Sequence, residues 1–101
     1  INQHFSDRHL KENIVDCKHN ALDYIHQFQF KEYDWKKQED RPQQVHTKIG
    51  LIAQEVQEID STLVYENGDT LNLDNLRLTT IALKAIQELS QRIEILERKV
   101  A

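Results

Sequence analysis

Glycine occurs twice, proline once and cysteine once in these 101 residues, and each scarcity removes a class of protein. With so little Gly and Pro the chain is neither a disordered linker nor a low-complexity segment. A lone Cys17 cannot close an internal disulfide, and a reducing, cytosolic compartment is the simplest expectation. No apolar run approaches the ~20 residues that span a bilayer, and no signal peptide is visible. Positive charge is short as well. The net charge is −4, so no overall field draws the chain to nucleic acid or to an anionic membrane.

What remains is enough for one small domain with a modest core. Apolar residues make up 39% and charged residues 30%, the first below the usual range and the second at its top. That balance points to a thin core, or to a fold whose apolar surface is completed by other chains. Ile1 to Phe5 read as the end of something longer, so the chain is expected to be the C-terminal piece of a larger protein.

Along the chain, "LKENIV" (10–15) has no clear period and reads as extended. Asn20 then opens a short helix, "ALDYIHQF", that places Ala21, Leu22, Ile25 and Phe28 on one face. In "KEYDWK", Tyr33 and Trp35 alternate with charged residues, the period of a half-buried strand, and both aromatics are expected in the core. Lys36 to Thr47, which holds Pro42, reads as an exposed loop. "GLIA" (50–53) reads as a strand, expected to pair with "YDWK", and "QEVQEI" behind it suits a helical turn or two. "TLVYENGDTLNL" sets two β-prone runs around Asn67-Gly68, a pair suited to a tight hairpin turn.

From about Asp74 to Ala101 there is neither Gly nor Pro, and apolar residues recur in heptads. Thr79, Ile86, Ile93 and Val100 share position a, while Ala82, Leu89 and Leu96 share position d. Spacing of this kind keeps one seam turned to a partner helix, the logic of a coiled coil. Arg92 then falls at g and Glu97 at the following e, placed to pair between neighbouring helices. The competing reading is an amphipathic helix folded back on its own domain.

"FSDRHLKEN" (5–13) poses the chemical question. A serine hydroxyl is a poor nucleophile until a base takes its proton, and a lysine is such a base only when neutral. Ser-Lys pairs do this work in several unrelated hydrolases. Ser6 and Lys11 fit that pattern, but serine and lysine are common, and on spacing alone a capping or solvated serine is by far the plainer reading.

The order of motifs adds a resemblance. "SDRHLKENI", then "YDWK", "IGLIAQEVQEI", "LNLDNLRL" and a terminal helix resemble the intramolecular chaperone domain of phage tail spikes, tail fibres and neck appendages. This is the S74 peptidase family, found also in the myelin regulatory factor of animals. The most specific elements are the Ser-Asp-x-Arg-x-Lys opening and the Gly-x-Ile-Ala-Gln-Glu-Val segment, here Gly50 to Val56. The resemblance covers Ser6 to the C-terminus. It implies an α+β fold, a small antiparallel sheet with short helices and a long C-terminal helix forming a parallel trimeric coiled coil.

It further implies a homotrimer that helps an upstream fibre domain of the same polypeptide fold. The domain then cuts itself off between Phe5 and Ser6, with Ser6 as nucleophile and Lys11 as general base. Asp7 is the next candidate, as an orienting group for Lys11 or for the strained peptide, against an ordinary turn or cap carboxylate. Arg8 is expected to pair with a carboxylate across a chain interface. In this reading residues 1–5 end the upstream fibre and 6–101 form the chaperone domain, divided into a globular part (6–73) and a trimerisation helix (74–101). That helix would bury Ile86, Leu89, Ile93, Leu96 and Val100. The setting implied is the host cytoplasm during virion assembly, with release from the tail after cleavage. Two rivals stand beside it: a non-cleaving trimerisation and capping module, and the equivalent self-cleaving domain of a membrane-tethered transcription factor.

No cofactor or metal is expected. His4, His9, His19 and His26 show no ligand spacing and read as surface or interface residues. Gln54 is a candidate hydrogen-bonding group near the cleavage strand, although structural pairing of Gln54 and Glu55 is the plainer expectation.

Overall fold

The computed structural model describes residues 5–37 and 45–101. They form an α+β chain in two compact units, one made of Ile1–His26 and Asp74–Ala101, the other of Gln27–Leu73.

In the first unit a 3-10 turn, Arg8–Leu10, is followed by a largely irregular run and a helix α1, Ala21–Gln27. A long helix, numbered α3 by its place in the chain, covers Asn75–Val100. Asp74 caps it by accepting from the Arg77 N–H at 3.0 Å, and the Asp74 carboxylate also holds the Arg77 Nε at 3.1 Å. Ala21, Leu22 and Ala85 are buried together, with Ile25 and Ile81 packed against them. Phe28, expected on the same face, lies beyond the end of α1.

The second unit holds two two-stranded antiparallel sheets and a short helix. Strand β1, Lys31–Asp34, pairs with β2, His46–Gly50. An irregularity between Lys31 and Tyr33 sets Lys31 opposite Gly50 and Tyr33 opposite Thr47, so β2 carries an extra residue at this point. Helix α2, Ala53–Ile59, follows. A 3-10 turn, Ser61–Leu63, then leads into β3, Val64–Asn67, and β4, Thr70–Leu73. α2 touches both strands of that hairpin, and among the described residues of this unit Val56 and Leu63 are buried.

Several expectations shift. The strand near "GLIA" lies earlier than the apolar run: Gly50 ends β2 and Ala53 already belongs to α2. The Ile52 carbonyl accepts from the Glu55 and Val56 N–H groups at 3.0 and 3.1 Å, which commits this segment to a helix. Four apolar residues carry no period that separates the two outcomes. Gly50 itself is required by close approach, since a Cβ there would fall 2.7 Å from the Tyr33 ring. In the hairpin Asn67 pairs with Thr70, so the turn residues are Gly68 and Asp69. Gly68 has φ +61°, the first central position of a II′-type turn.

Trp35 is not core. The residue is 42% exposed; its ring meets Tyr33 edge-on at 5.6 Å and donates from Nε1 to Thr47 Oγ1 at 3.0 Å. A two-stranded ribbon cannot enclose an indole, so the ring lies along it. Of the expected loop, residues 38–44 lie outside the described residues, while His46 and Thr47 belong to β2.

Candidate active site

The segment from Ser6 to Lys11 is built by one turn. Asp7 is its N-cap, accepting the His9 N–H on Oδ1 at 2.9 Å. Leu10 N–H then donates to the Asp7 carbonyl at 3.0 Å and Lys11 N–H to the Arg8 carbonyl at 3.1 Å. Beyond the turn Lys11 is extended, and Asn13 takes a left-handed conformation at φ 53°, which asparagine tolerates better than most residues.

The turn brings the two ends together. Lys11 Nζ lies 2.6 Å from Ser6 Oγ and donates to it. Both residues are exposed. A lysine ammonium can only donate, so removal of the Ser6 proton requires the neutral amine, and that requires burial or a cationic neighbour. Phe5, on the acyl side of the bond before Ser6, is 63% exposed.

The Asp7 carboxylate is directed to His9. Besides the backbone bond, Oδ1 is 2.9 Å from His9 Nδ1. The His9 backbone N–H first, and its ring second, hold the Asp7 carboxyl below its usual range. Arg8 makes no ion pair among the described residues.

The other expected residues are elsewhere. Gln54 and Glu55 sit on α2; Gln54 is exposed. Glu55 Oε2 is 3.8 Å from Lys31 Nζ, whereas its Oε1 is buried without a hydrogen-bond partner. Ile86, Leu89, Ile93, Leu96 and Val100 all point to solvent, between 46% and 86% exposed.

Two constellations were not predicted from the sequence. Glu88 on α3 caps α1 from a distance, accepting the Ala21 N–H at 2.8 Å and the Leu22 N–H at 3.0 Å while Lys84 Nζ binds it at 2.6 Å. The Lys84 ammonium first, then the Ala21 N–H, pull the Glu88 carboxyl down to about 2. Only the Lys84–Glu88 spacing is visible in sequence. On the β1–β2 ribbon, His46 is held between Asp34 Oδ1 at 2.6 Å and Glu32 Oε1 at 2.7 Å. Those contacts, Asp34 first, raise its imidazole above the usual value. The carboxylates lie on opposite ring nitrogens, so this is a clasp between strands. No group of three potential metal ligands is assembled among the described residues.

Fold and site thus define a small α+β domain that carries a Ser-Lys pair on a capped turn and ends in a long helix. The family model described as Peptidase_S74, chaperone of endosialidase, matches residues 6–65, and the chain belongs to that family, one of peptidase kind. A probable tail fiber protein of Escherichia phage Phieco32 is 32% identical over 102 residues, covering 95% of this chain and 14% of that protein. The long tail fiber proteins Gp37 of Enterobacteria phages M1 and Ox2 are each 28% identical over 96 residues, covering 91% of this chain and 38% of theirs. The chain therefore spans well under half the length of these relatives. No helix among the described residues is long and apolar enough to cross a membrane.

Proposed function

We propose that this chain is the C-terminal intramolecular chaperone of a phage tail fibre or spike, which trimerises, guides folding of the upstream fibre and then releases itself by Ser-Lys autoproteolysis. Residues 1–5 end the fibre and residues 6–101 are the chaperone, acting in the host cytoplasm during virion assembly and leaving the tail after cleavage. The family and the tail-fibre relatives support a chaperone domain of a tail fibre. The observation that carries the chemistry is the 2.6 Å contact between Lys11 Nζ and Ser6 Oγ, in a family match that begins at Ser6 itself.

In the reaction, neutral Lys11 takes the Ser6 hydroxyl proton as Oγ bonds to the Phe5 carbonyl carbon. The Phe5–Ser6 C–N bond then breaks, its nitrogen takes a proton from Lys11, and Phe5 is left as an ester on Ser6 Oγ. Water hydrolyses that ester, which frees the Phe5 carboxylate and restores the hydroxyl.

Exposure of both residues favours a second reading, a trimerising cap that does not cut. The two meet if burial of Lys11 comes from assembly with the fibre and with other copies, which would make cleavage follow folding. Mass spectrometry of a chain extended upstream separates them. The self-cleaving reading predicts a new N-terminus at Ser6, abolished in Ser6→Ala and slowed about 10²- to 10⁴-fold in Lys11→Ala. Undiminished cutting in Ser6→Ala would sink the assignment.

A further inference from the structure

The geometry points to Asp7 as the positioning residue of the Ser6–Lys11 pair, acting through His9 and not through Lys11. This rests on the reading of Ser6 and Lys11 as nucleophile and base. Five steps of extended chain span about 17 Å, more than a lysine side chain can bridge, so the pair exists only while the intervening chain stays turned. The turn that does this is three residues long, with two backbone hydrogen bonds and no buried side chain. Turns this short have poor hydrogen-bond geometry and no cooperative reserve. Apolar packing does not hold it, which leaves its polar cap.

That cap is one oxygen. Asp7 Oδ1 takes the His9 backbone N–H and meets the His9 ring, each at 2.9 Å. It fixes the middle of the turn while the ends, Ser6 and Lys11, face each other at 2.6 Å. The carboxylate keeps its charge to lower pH than an ordinary aspartate, because the His9 backbone N–H and then the His9 ring favour the ionised form.

A cap and a charge make opposite demands on the side chain. Capping needs a short acceptor, which Asn and Ser also supply and Glu does not. A carboxylate that oriented the lysine ammonium, or relayed its proton, would need the charge. Cleavage rates of the chain with its upstream fibre sequence therefore decide between them. Asp7→Asn and Asp7→Ser should cut within about threefold of wild type, while Asp7→Ala and Asp7→Glu should fall about 3- to 30-fold, the range that loss of an N-cap carries. On the Ser6→Ala background, where the chain stays intact, the His9 amide proton should shift upfield in Asp7→Ala and hold its position in Asp7→Asn. Rates in which Glu outperforms Asn overturn the positioning role and leave the dyad standing. A wild-type chain that never cuts overturns the dyad, and the positioning role with it.

Discussion

Two faces of α3 carry similar residues to different ends. On one, Ile81 and Ala85 pack with Ala21, Leu22 and Ile25, and Glu88 closes the N-terminus of α1. On the other, Ile86, Leu89, Ile93, Leu96 and Val100 stand in solvent. The first face completes the fold of one chain. The second is an apolar stripe uncovered among the described residues, and in water such a stripe is a standing cost of about 25 cal/mol per Å² left uncovered. The helix is thus folded back along one side, and the a/d seam on its other side is left exposed, as the proposed packing against other copies would require. Ile at a with Leu at d ordinarily favours two strands, whereas the family points to three. Thr79 and Ala82 weaken the upper heptad, and under the proposed function a three-fold fibre would demand a three-fold chaperone, since closed cyclic symmetry must match along a shared axis.

The largest expected effect comes from emptying the second face. Ile93→Ala with Leu96→Ala should weaken the oligomer by about 2–5 kcal/mol per buried site, while leaving the α1 contact of each chain intact. Denaturation followed at several protein concentrations reads this as a lost concentration dependence. If the double variant melted like wild type, the seam would not be an interface.

A smaller effect should follow from breaking the first face. Glu88→Gln removes the ion pair to Lys84 and one of the anionic acceptors at α1, and should lower the melting temperature by a few degrees without changing the oligomer count. The same contact gives a pH signature. Because the folded carboxyl lies near 2 against an ordinary 4.5, its contribution is fully present above about 4.5. It is lost as pH falls from there toward about 2. In Glu88→Gln that acid limb of the stability curve should flatten.

These contacts also mark what could be read from the residues alone. The long helix, α1, α2 and the hairpin were legible because their signals are local: a 3.6-residue period, a cap, a Gly between β-prone runs. Register was not. The hairpin turn falls on Gly68-Asp69 and not on Asn67-Gly68, since propensity cannot say which residue pairs last. "GLIA" has no period that separates strand from helix, and the backbone bonds to the Ile52 carbonyl decide it. The alternation around Trp35 suggests a core that a two-stranded ribbon does not provide. Glu88 and His46 depend on contacts across the fold, 66 or 67 residues away for one and a bulged strand pairing for the other. The Ser6–Lys11 pair was legible through its motif. His9 reads in sequence as a surface or interface residue, and its backbone N–H and ring both meet the Asp7 carboxylate.

The smallest effect marks the border of the seam. Lys99 lies beside Val100 but outside the a and d positions, and Lys99→Ala should change oligomer stability by no more than about 0.5 kcal/mol. A larger loss would widen the interface beyond the heptad seam.

The central claim is that the exposed face of α3 is covered by two further copies of the chain. Static light scattering of the wild-type protein across micromolar concentrations tests it most directly. The account predicts a particle of three times the 12.0 kDa chain mass. A stable monomer or dimer over that range would contradict it, and with it the proposed role in fibre assembly.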